Sequence, residues 1–148
     1  DAQREFTEKI KICRSRADIK KVLKKYIKTY MDQAENEKKQ LSYLPVRKAM
    51  EYVENNYMDK IGLEEIAEYV GLNASYFSAL FKKESGKTFL SYLTEIRINH
   101  AKEFLRTTND TMGSIAEKVG YTDARYFSQC FEKIVGMKPS LFRKLYAK

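Results

Sequence analysis

The amino-acid sequence predicts an all-α protein with two helix-turn-helix subdomains joined by a long connecting helix and preceded by an amphipathic linker helix. Three observations lead to this prediction. One pattern occurs twice, apolar residues recur at helical spacing, and the 148 residues include only six glycines and two prolines. A hydrophobic share of 43% against 32% charged residues is typical of a soluble, mostly helical protein and not of a disordered one.

The repeated pattern covers residues 66–86 and 115–136. Each copy has Ile-Ala, then Val-Gly after two residues, then Tyr-Phe-Ser, with a phenylalanine and a glycine following. The offset between the copies is 49 residues before the turn and 50 after it. A pattern used twice within about a hundred residues indicates one supersecondary unit that is present in two copies.

Each copy has the pattern of a helix-turn-helix. In the first, an apolar face ends at Gly71, which permits the positive φ that reverses the chain after a helix. Asn73 is placed to cap a second helix, whose predicted buried face holds Phe77, Leu80 and Phe81. The second copy repeats these roles at Gly120, at Thr122 or Asp123, and at Phe127. An αα-hairpin that only packs is the alternative, and two matched copies favour the helix-turn-helix.

Residues 1–44 are predicted to form an amphipathic helical linker from an upstream domain. The chain begins at Asp1 and not at Met, so we expect it to be a piece of a longer protein. Ser15 and Asp18 suit the start of a helix. Its apolar stripe is Ile19, Val22, Leu23, Tyr26, Ile27, Tyr30 and Met31. Five lysines lie on the opposite face. The apolar stripe could dock on another domain or a second subunit, or the basic helix could lie on a membrane or a nucleic acid.

Residues 45–148 are predicted to form a separate domain of seven helices. The polar stretch 35–40 looks like the exposed end of the linker helix, and residues 41–44 look like the linker itself. Pro45 suits the first turn of a new helix, and Asn56 ends it. The expected elements are helix-turn-helix units at about 63–86 and 112–136, a connecting helix at about 88–106, and a short closing helix from Pro139.

The predicted connecting helix has a length that suits duplex DNA. Its roughly eighteen residues make a rod of about 27 Å. Successive major grooves on one face of a duplex lie about 34 Å apart. Allowing for the width of the units at its ends, this rod could place two recognition helices one turn of DNA apart within one chain.

Composition argues against an enzyme. His100 is the only histidine, and no glycine-rich phosphate loop is present. Cys13 and Cys130 have no metal or redox spacing, and we expect Cys130 to be a buried free thiol. We therefore expect no catalytic residue, no metal and no cofactor. Free thiols favour a cytoplasmic location, and no run of eighteen apolar residues is present to span a membrane.

Charge in the predicted DNA-binding part separates along the chain. Six acidic residues precede the first recognition helix: Glu51, Glu54, Asp59, Glu64, Glu65 and Glu68. Eight basic residues lie in or just after the two recognition helices: Lys82, Lys83, Lys87, Arg125, Lys133, Lys138, Arg143 and Lys144. A basic face is what phosphate binding needs, although ordinary solvated helix charge is the alternative.

With these motifs the chain resembles the C-terminal DNA-binding domain of the AraC/XylS transcription regulators over roughly residues 45–148. The matching positions are Ile66-Ala67, Val70-Gly71, Tyr76-Phe77-Ser78, Phe81-Lys82-Lys83, Gly86, Tyr92-Leu93, Arg97-Ile98, Ala101-Lys102, Ile115-Ala116, Val119-Gly120-Tyr121, Tyr126-Phe127-Ser128, Phe131, Gly136, Pro139 and Phe142-Arg143. The resemblance implies seven helices and bacterial transcription control. Residues 1–44 are similar to linkers in YesN-like response regulators or membrane-anchored sensor relatives.

Groove chemistry identifies the candidate base-reading residues. One outward face of the first recognition helix carries Ser75, Ser78, Ala79 and Lys82, and the matching face of the second carries Arg125, Ser128, Gln129 and Glu132. Serine can bond several base edges, and Ala79 can touch a thymine methyl group. Arg125 could pair with guanine and Gln129 with adenine, so we expect the second unit to discriminate bases better.

Backbone N–H groups at helix starts and nearby polar side chains are expected to hold phosphates. The candidate phosphate residues are Asn73, Lys87, Thr88, Thr122, Lys138 and Ser140. We expect double-stranded DNA and RNA polymerase as partners, a homodimer through residues 1–44 or the upstream domain, and no small-molecule site.

Three other functions remain to be separated from DNA reading. A protein-binding adaptor predicts no DNA affinity, or weak affinity without sequence preference. A DNA-repair alkyltransferase would need a thiolate cluster on zinc, and Cys13 stands alone in residues 1–44. Binding of single-stranded nucleic acid would call for an exposed aromatic groove, whereas Phe77 and Phe127 lie at core spacing.

Overall fold

The computed structural model describes residues 2–147, which form eight α-helices and no strand, so the all-α prediction is confirmed. The helices are α1 Ala2–Ile12, α2 Arg16–Asn56, α3 Leu63–Tyr69, α4 Ala74–Ser85, α5 Phe89–Thr107, α6 Met112–Lys118, α7 Ala124–Val135 and α8 Pro139–Tyr146. The chain divides into two compact regions between Tyr43 and Leu44. No helix within the described range combines the length and apolar character that crossing a membrane requires.

The region before Leu44 contains α1 and the first part of α2. The predicted start of α2 is confirmed, because the Ser15 hydroxyl accepts from the Asp18 backbone N–H at 3.1 Å and donates to its carboxylate at 2.6 Å. The sequence pattern does not predict α1. Its Phe6 ring stacks on Tyr26 with the ring centroids 4.1 Å apart.

The apolar stripe of α2 is helical as predicted, and much of it faces solvent. Leu23 is 39% exposed, Ile27 52% and Met31 65%. Exposure of large apolar side chains in a row marks a surface that can accept a partner.

The predicted break at residues 41–44 and the new helix at Pro45 are wrong, because α2 continues through both. Proline removes one backbone hydrogen bond and crowds the carbonyl four residues earlier, which here belongs to Leu41. Leu41 is 72% exposed, so water can reach that part of the helix. Residues 35–41 are rich in strong helix formers, and an ion pair joins Glu35 to Lys39 at 3.6 Å.

The region from Leu44 onward has two hydrophobic cores that share α5. Phe89 and Leu93, in the first turns of α5, belong to the first core, whereas Ile98, Ala101 and Leu105 belong to the second. The other buried members of the first core are Val46, Ala49, Val53, Ile61, Ile66, Ala67, Phe77, Leu80 and Phe81. Those of the second are Ile115, Ala116, Val119, Tyr121, Phe127 and Phe131. The predicted pair of helix-turn-helix units around a connecting helix is therefore confirmed.

Caps and glycines form the turns as the sequence predicts. The Asn73 side chain accepts from the Tyr76 N–H at 2.8 Å at the start of α4. Of the two candidates in the second copy, Asp123 is the cap, since its carboxylate accepts from the N–H groups of Arg125 and Tyr126 at 2.7 and 3.1 Å. Gly71 and Gly120 have φ of 77° and 88°.

Candidate nucleic-acid interface

The outward face of α4 lies opposite a fully buried aromatic pair. Phe77 and Phe81 have no exposed surface, and their rings approach to 5.6 Å between centroids. The four predicted base-reading residues lie on the other side: Ser75, Ala79 and Lys82 are exposed and Ser78 is half-buried. The helix is therefore anchored by one side and presents short polar and methyl groups on the other.

The outward face of α7 has the same construction with larger polar groups. Phe127 and Phe131 are fully buried, while Arg125, Gln129 and Glu132 are exposed. Ser128 is half-buried, and its hydroxyl donates to the Ala124 carbonyl at 2.9 Å. That bond uses the hydroxyl proton, so Ser128 is left with acceptor capacity alone toward a ligand.

The base-reading residues of α7 line one groove together with two of the predicted phosphate residues. The groove has a volume of about 500 Å³ and lies between α7 and the start of α8. Its lining consists of Met112, Ala124, Arg125, Ser128, Gln129, Glu132, Lys138, Pro139 and Ser140. The structure therefore brings together the cationic, amide and hydroxyl groups that the sequence reading assigned separately.

The remaining phosphate candidates differ in how they are engaged. The side chains of Asn73 and Thr88 cap α4 and α5, where Thr88 accepts from the Ser91 N–H at 3.2 Å. Lys87 forms an ion pair with Glu95 on α5, so part of its charge is compensated within the chain. Thr122 is exposed beside the α7 cap.

Arg143 does not belong to the exposed basic face on which the sequence reading placed it. It is half-buried, and its Nη2 donates to the Asp110 carbonyl at 2.6 Å. The Asp110 carboxylate accepts from Lys118 at 2.7 Å, a bond that lowers the pKa of Asp110. Arg143 thus joins α8 to the turn before α6.

Cys130 is a free thiol as expected, but the expectation that it is fully buried is wrong, because it is only partly buried against the second core. Neighbouring Ile134 is 43% exposed, so this edge of α7 faces outward. Burial raises the pKa of the Tyr121 hydroxyl, with Cys130 contributing to the shift.

Within residues 2–147, no cluster of three His, Cys, Asp or Glu side chains is placed to hold a metal ion.

Sequence reasoning assigned no role to Arg97, which lies near the middle of α5. Its Nε donates to the Tyr57 carbonyl and its Nη2 to the Asp59 carbonyl, both at 2.8 Å. Its guanidinium lies 5.5 Å from the centre of the Tyr121 ring. Half-burial lowers the pKa of Arg97, which stays protonated at neutral pH. An arginine between Ile96 and Ile98 on a helix that serves two cores is the signal that could have found it.

His100, one helical turn beyond Arg97, completes the contacts of Tyr57. Its imidazole stacks on the Tyr57 ring at 3.9 Å between centroids and 5° between planes. Glu54 approaches its Nε2 at 3.7 Å. The sequence prediction that His100 is a packing or surface residue is confirmed.

The comparisons with known proteins agree with this geometry. The helix-turn-helix domain family matches residues 66–145, more than half of the chain. The chain is 35% identical over 96 residues to the raffinose operon transcriptional regulatory protein RafR of Pediococcus pentosaceus, covering 65% of this chain and 35% of RafR. It spans about a third to a half of the length of such curated relatives.

Two solved structures show the same arrangement at 34% identity. The C-terminal domain of AraT, a response regulator from Geobacillus stearothermophilus, matches with a TM-score of 0.68, covering 70% of this chain and 87% of that one. The C-terminal domain of the two-component response regulator yesN from Fusobacterium nucleatum matches with a TM-score of 0.64, covering 66% and 95%. The chain belongs to the AraC/XylS family of helix-turn-helix transcription regulators.

Proposed function

We propose that the region from Leu44 onward binds double-stranded DNA at specific sequences as part of a bacterial transcription regulator. In this proposal α4 and α7 enter successive major grooves of one duplex. The observation that carries it is the shared construction of the two helices, each with a buried phenylalanine pair behind an outward polar face. The spacing supports it as well, because the 19 residues of α5 give a rod of about 28 Å.

The α7 face has the chemistry for direct base reading. Arginine can pair with guanine through two hydrogen bonds, and the Gln129 amide can pair with adenine in the same way. Glu132 can accept from the cytosine amino group. Since Arg125, Gln129 and Glu132 line one groove, neighbouring base pairs would meet all three.

The α4 face reads bases less strictly in this proposal. Ser75 and Ser78 can each bond more than one kind of base edge, and Ala79 offers a methyl contact to thymine. Lys82 supplies a cation at the same face, which is exposed. The first unit would therefore tolerate more sequences than the second.

Phosphate contacts would hold both helices in register. Lys138 and Ser140 flank the groove of α7 at the start of α8, where backbone N–H groups also favour anions. At the first unit, Lys87, Thr88 and Asn73 would take the corresponding positions, with Thr122 beside α7. The charge that Lys87 shares with Glu95 makes its contribution the smaller one.

The wider role belongs to the same proposal. The regulator would act without an enzymatic step of its own, in the bacterial cytoplasm, with RNA polymerase as a protein partner. A second copy would pair through residues 1–44 or through an upstream domain, which the exposed side chains of Leu23, Ile27 and Met31 support. Sedimentation of the chain over a concentration series tests this pairing, because a monomer at all concentrations would leave residues 1–44 without that role.

Selection of bound sequences from random duplex DNA tests the proposed function. We expect an enriched motif with two half-elements about 10 bp apart, because successive major grooves on one face recur once per turn. A matched chain with Arg125→Ala and Gln129→Ala should enrich a weaker second half-element. Binding that moderate salt abolishes and that shows no sequence preference would favour a protein-binding adaptor instead.

A further inference from the structure

We infer that Arg97 is a positioning residue that fixes the spacing and orientation of the two recognition helices, so that the chain selects DNA by the distance between half-elements. This inference rests on the proposed function. Arg97 itself faces the protein: two of its N–H donors bond carbonyls of the segment between α2 and α3, and its Cζ lies 5.5 Å from the centre of the Tyr121 ring in the second core. It would act on DNA only through α4 and α7.

The two helix-turn-helix units are joined mainly through α5. Helix packing within the first unit runs between α3 and α4, and within the second among α6, α7 and α8. Both units pack on α5, and no comparably extensive helix–helix packing links them directly in the described chain. Because the two cores meet α5 on either side of Arg97, the joint between the units lies at this residue.

The Arg97 guanidinium matches the geometry of the backbone and ring that surround it. The carbonyls of Tyr57 and Asp59 follow the C-terminal end of α2, where the negative end of the helix dipole favours a cation. The Asp59 carbonyl also accepts from the Ile61 N–H at 2.9 Å, so Arg97 is its second donor. The guanidinium is a planar fork that can bond two carbonyls and still present a face to an aromatic ring. Lysine has one ammonium group and cannot hold both carbonyls in that fixed geometry.

The turn of the second helix-turn-helix unit packs closely on Arg97. Gly120 ends the turn of the second unit, and a β-carbon there would lie 2.8 Å from the Tyr57 carbonyl and 2.9 Å from Arg97 Cζ and Nε. The first unit's equivalent, Gly71, has no atom within 4 Å of the same point. The two copies of the repeat therefore differ at this position, and only the second has its turn seated on the joint.

Rigidity between the two recognition helices determines which spacing of half-elements the chain prefers. A rigid joint gives the second recognition helix a high effective concentration at one spacing of half-elements and a low one at others. A loosened joint spreads that concentration over several spacings. Arg97 therefore governs spacing preference and leaves the recognition of each half-element alone.

The test compares Arg97→Lys with Arg106→Lys, a matched change at a half-buried arginine of α5 that pairs with Glu103 on the same helix. Each protein is titrated with duplexes that carry the selected half-elements at the native spacing, at 1, 2 and 5 bp more, and singly. For Arg97→Lys we expect single half-elements to bind within about twofold of the parent, native spacing to weaken about tenfold, and the spacing preference to flatten. Arg106→Lys should match the parent throughout.

A readout without DNA separates failure of this inference from failure of the proposed function. Spin labels at Lys83→Cys on α4 and Lys133→Cys on α7, with Cys13→Ser and Cys130→Ser, report the distance between the recognition helices. Arg97→Lys should broaden that distance distribution. If Arg97→Lys does not fold, Gly120→Ala replaces it as the test variant, because its methyl group crowds the Tyr57 carbonyl and Arg97. An unchanged distribution and spacing preference, or equal losses on single and paired half-elements, overturns the inference. A parent protein that shows no sequence preference refutes the proposed function instead.

Discussion

Gly120 leaves no room for a side chain beside the guanidinium of Arg97, because a β-carbon at position 120 would be 2.9 Å from Arg97 Cζ. This contact joins the turn of the second helix-turn-helix to the middle of the connecting helix. It has no counterpart at Gly71, although both glycines have a positive φ and occupy the same place in the repeat.

Replacing each of the two glycines by alanine therefore separates backbone strain from crowding. Gly71→Ala should cost only the left-handed conformation, about 1–2 kcal/mol of the free energy of unfolding. Gly120→Ala should cost a further ~1–3 kcal/mol because the new methyl group meets a backbone carbonyl that cannot move aside easily. Urea unfolding followed by circular dichroism measures both, and equal losses would mean that the contact at Gly120 relaxes freely.

The caps of α4 and α7 should respond differently to acid. The two N–H bonds from Tyr126 and Arg125 lower the pKa of Asp123, so its contribution to stability is present above the unfolded-state pKa and is lost as pH falls through the folded-state value. Asp123→Asn keeps a capping oxygen without titrating. The parent should therefore lose more stability than Asp123→Asn between about pH 5 and pH 3.

Asn73→Ala is the matched control for the acid experiment. It should lower the free energy of unfolding by about 0.5–2 kcal/mol, and by the same amount at both ends of that pH range, because no proton binds at this cap. Urea unfolding at each pH measures these differences. A parent and an Asp123→Asn variant with parallel pH profiles would contradict the role given to the Asp123 carboxylate.

Salt dependence should report the phosphate contacts. If about six to eight phosphates are neutralised, log affinity should fall against log salt with a slope of roughly −5 to −7. Lys138→Ala should reduce the steepness by about one with no change in site preference. Lys87→Ala should reduce it by less, since Glu95 already compensates part of that charge. Fluorescence anisotropy over a salt series measures the slopes. A slope near zero would favour the hypothesis that the chain is a protein-binding adaptor.

Specificity should reside mainly in α7. Each good bidentate base contact discriminates by roughly 1–3 kcal/mol, more than a single serine contact provides. Arg125→Ala or Gln129→Ala should therefore lose more discrimination than Ser75→Ala or Ser78→Ala, each at one base position of one half-element. Binding to matched and mismatched duplexes at fixed salt gives the ranking, with helicity checked for every variant. Larger losses from the α4 variants would reverse the order of the two units.

The features that the sequence predicts well are local. The Asn73 and Asp123 caps, the reversals at Gly71 and Gly120, and the buried phenylalanines follow from residue type and spacing within one turn. The continuation of α2 through Pro45 also has a local cause, because the helix formers before it outweigh one missing hydrogen bond, whereas the prediction of a break gives the proline the greater weight.

The features that the sequence does not predict depend on distant parts of the chain. Arg97 bonds carbonyls 38 and 40 residues away, and the engagement of Arg143 with the Asp110 carbonyl spans 33. The pattern marks both arginines as basic helix residues, so only the packed structure distinguishes them from exposed cations such as Lys138. The prediction of a fully buried Cys130 is wrong for the same reason, since helical spacing alone does not show which edge of α7 the neighbouring helices cover.

The division of α4 and α7 into a buried phenylalanine side and an outward polar side also bears on how such a regulator diversifies. Surface substitutions that avoid the core usually change stability by no more than ~0.5 kcal/mol. Residues such as Ala79, Gln129 and Glu132 are exposed and can be exchanged without disturbing the frame that carries them. A gene lineage can thus acquire a new operator by a few coding changes while the inherited scaffold keeps folding as before.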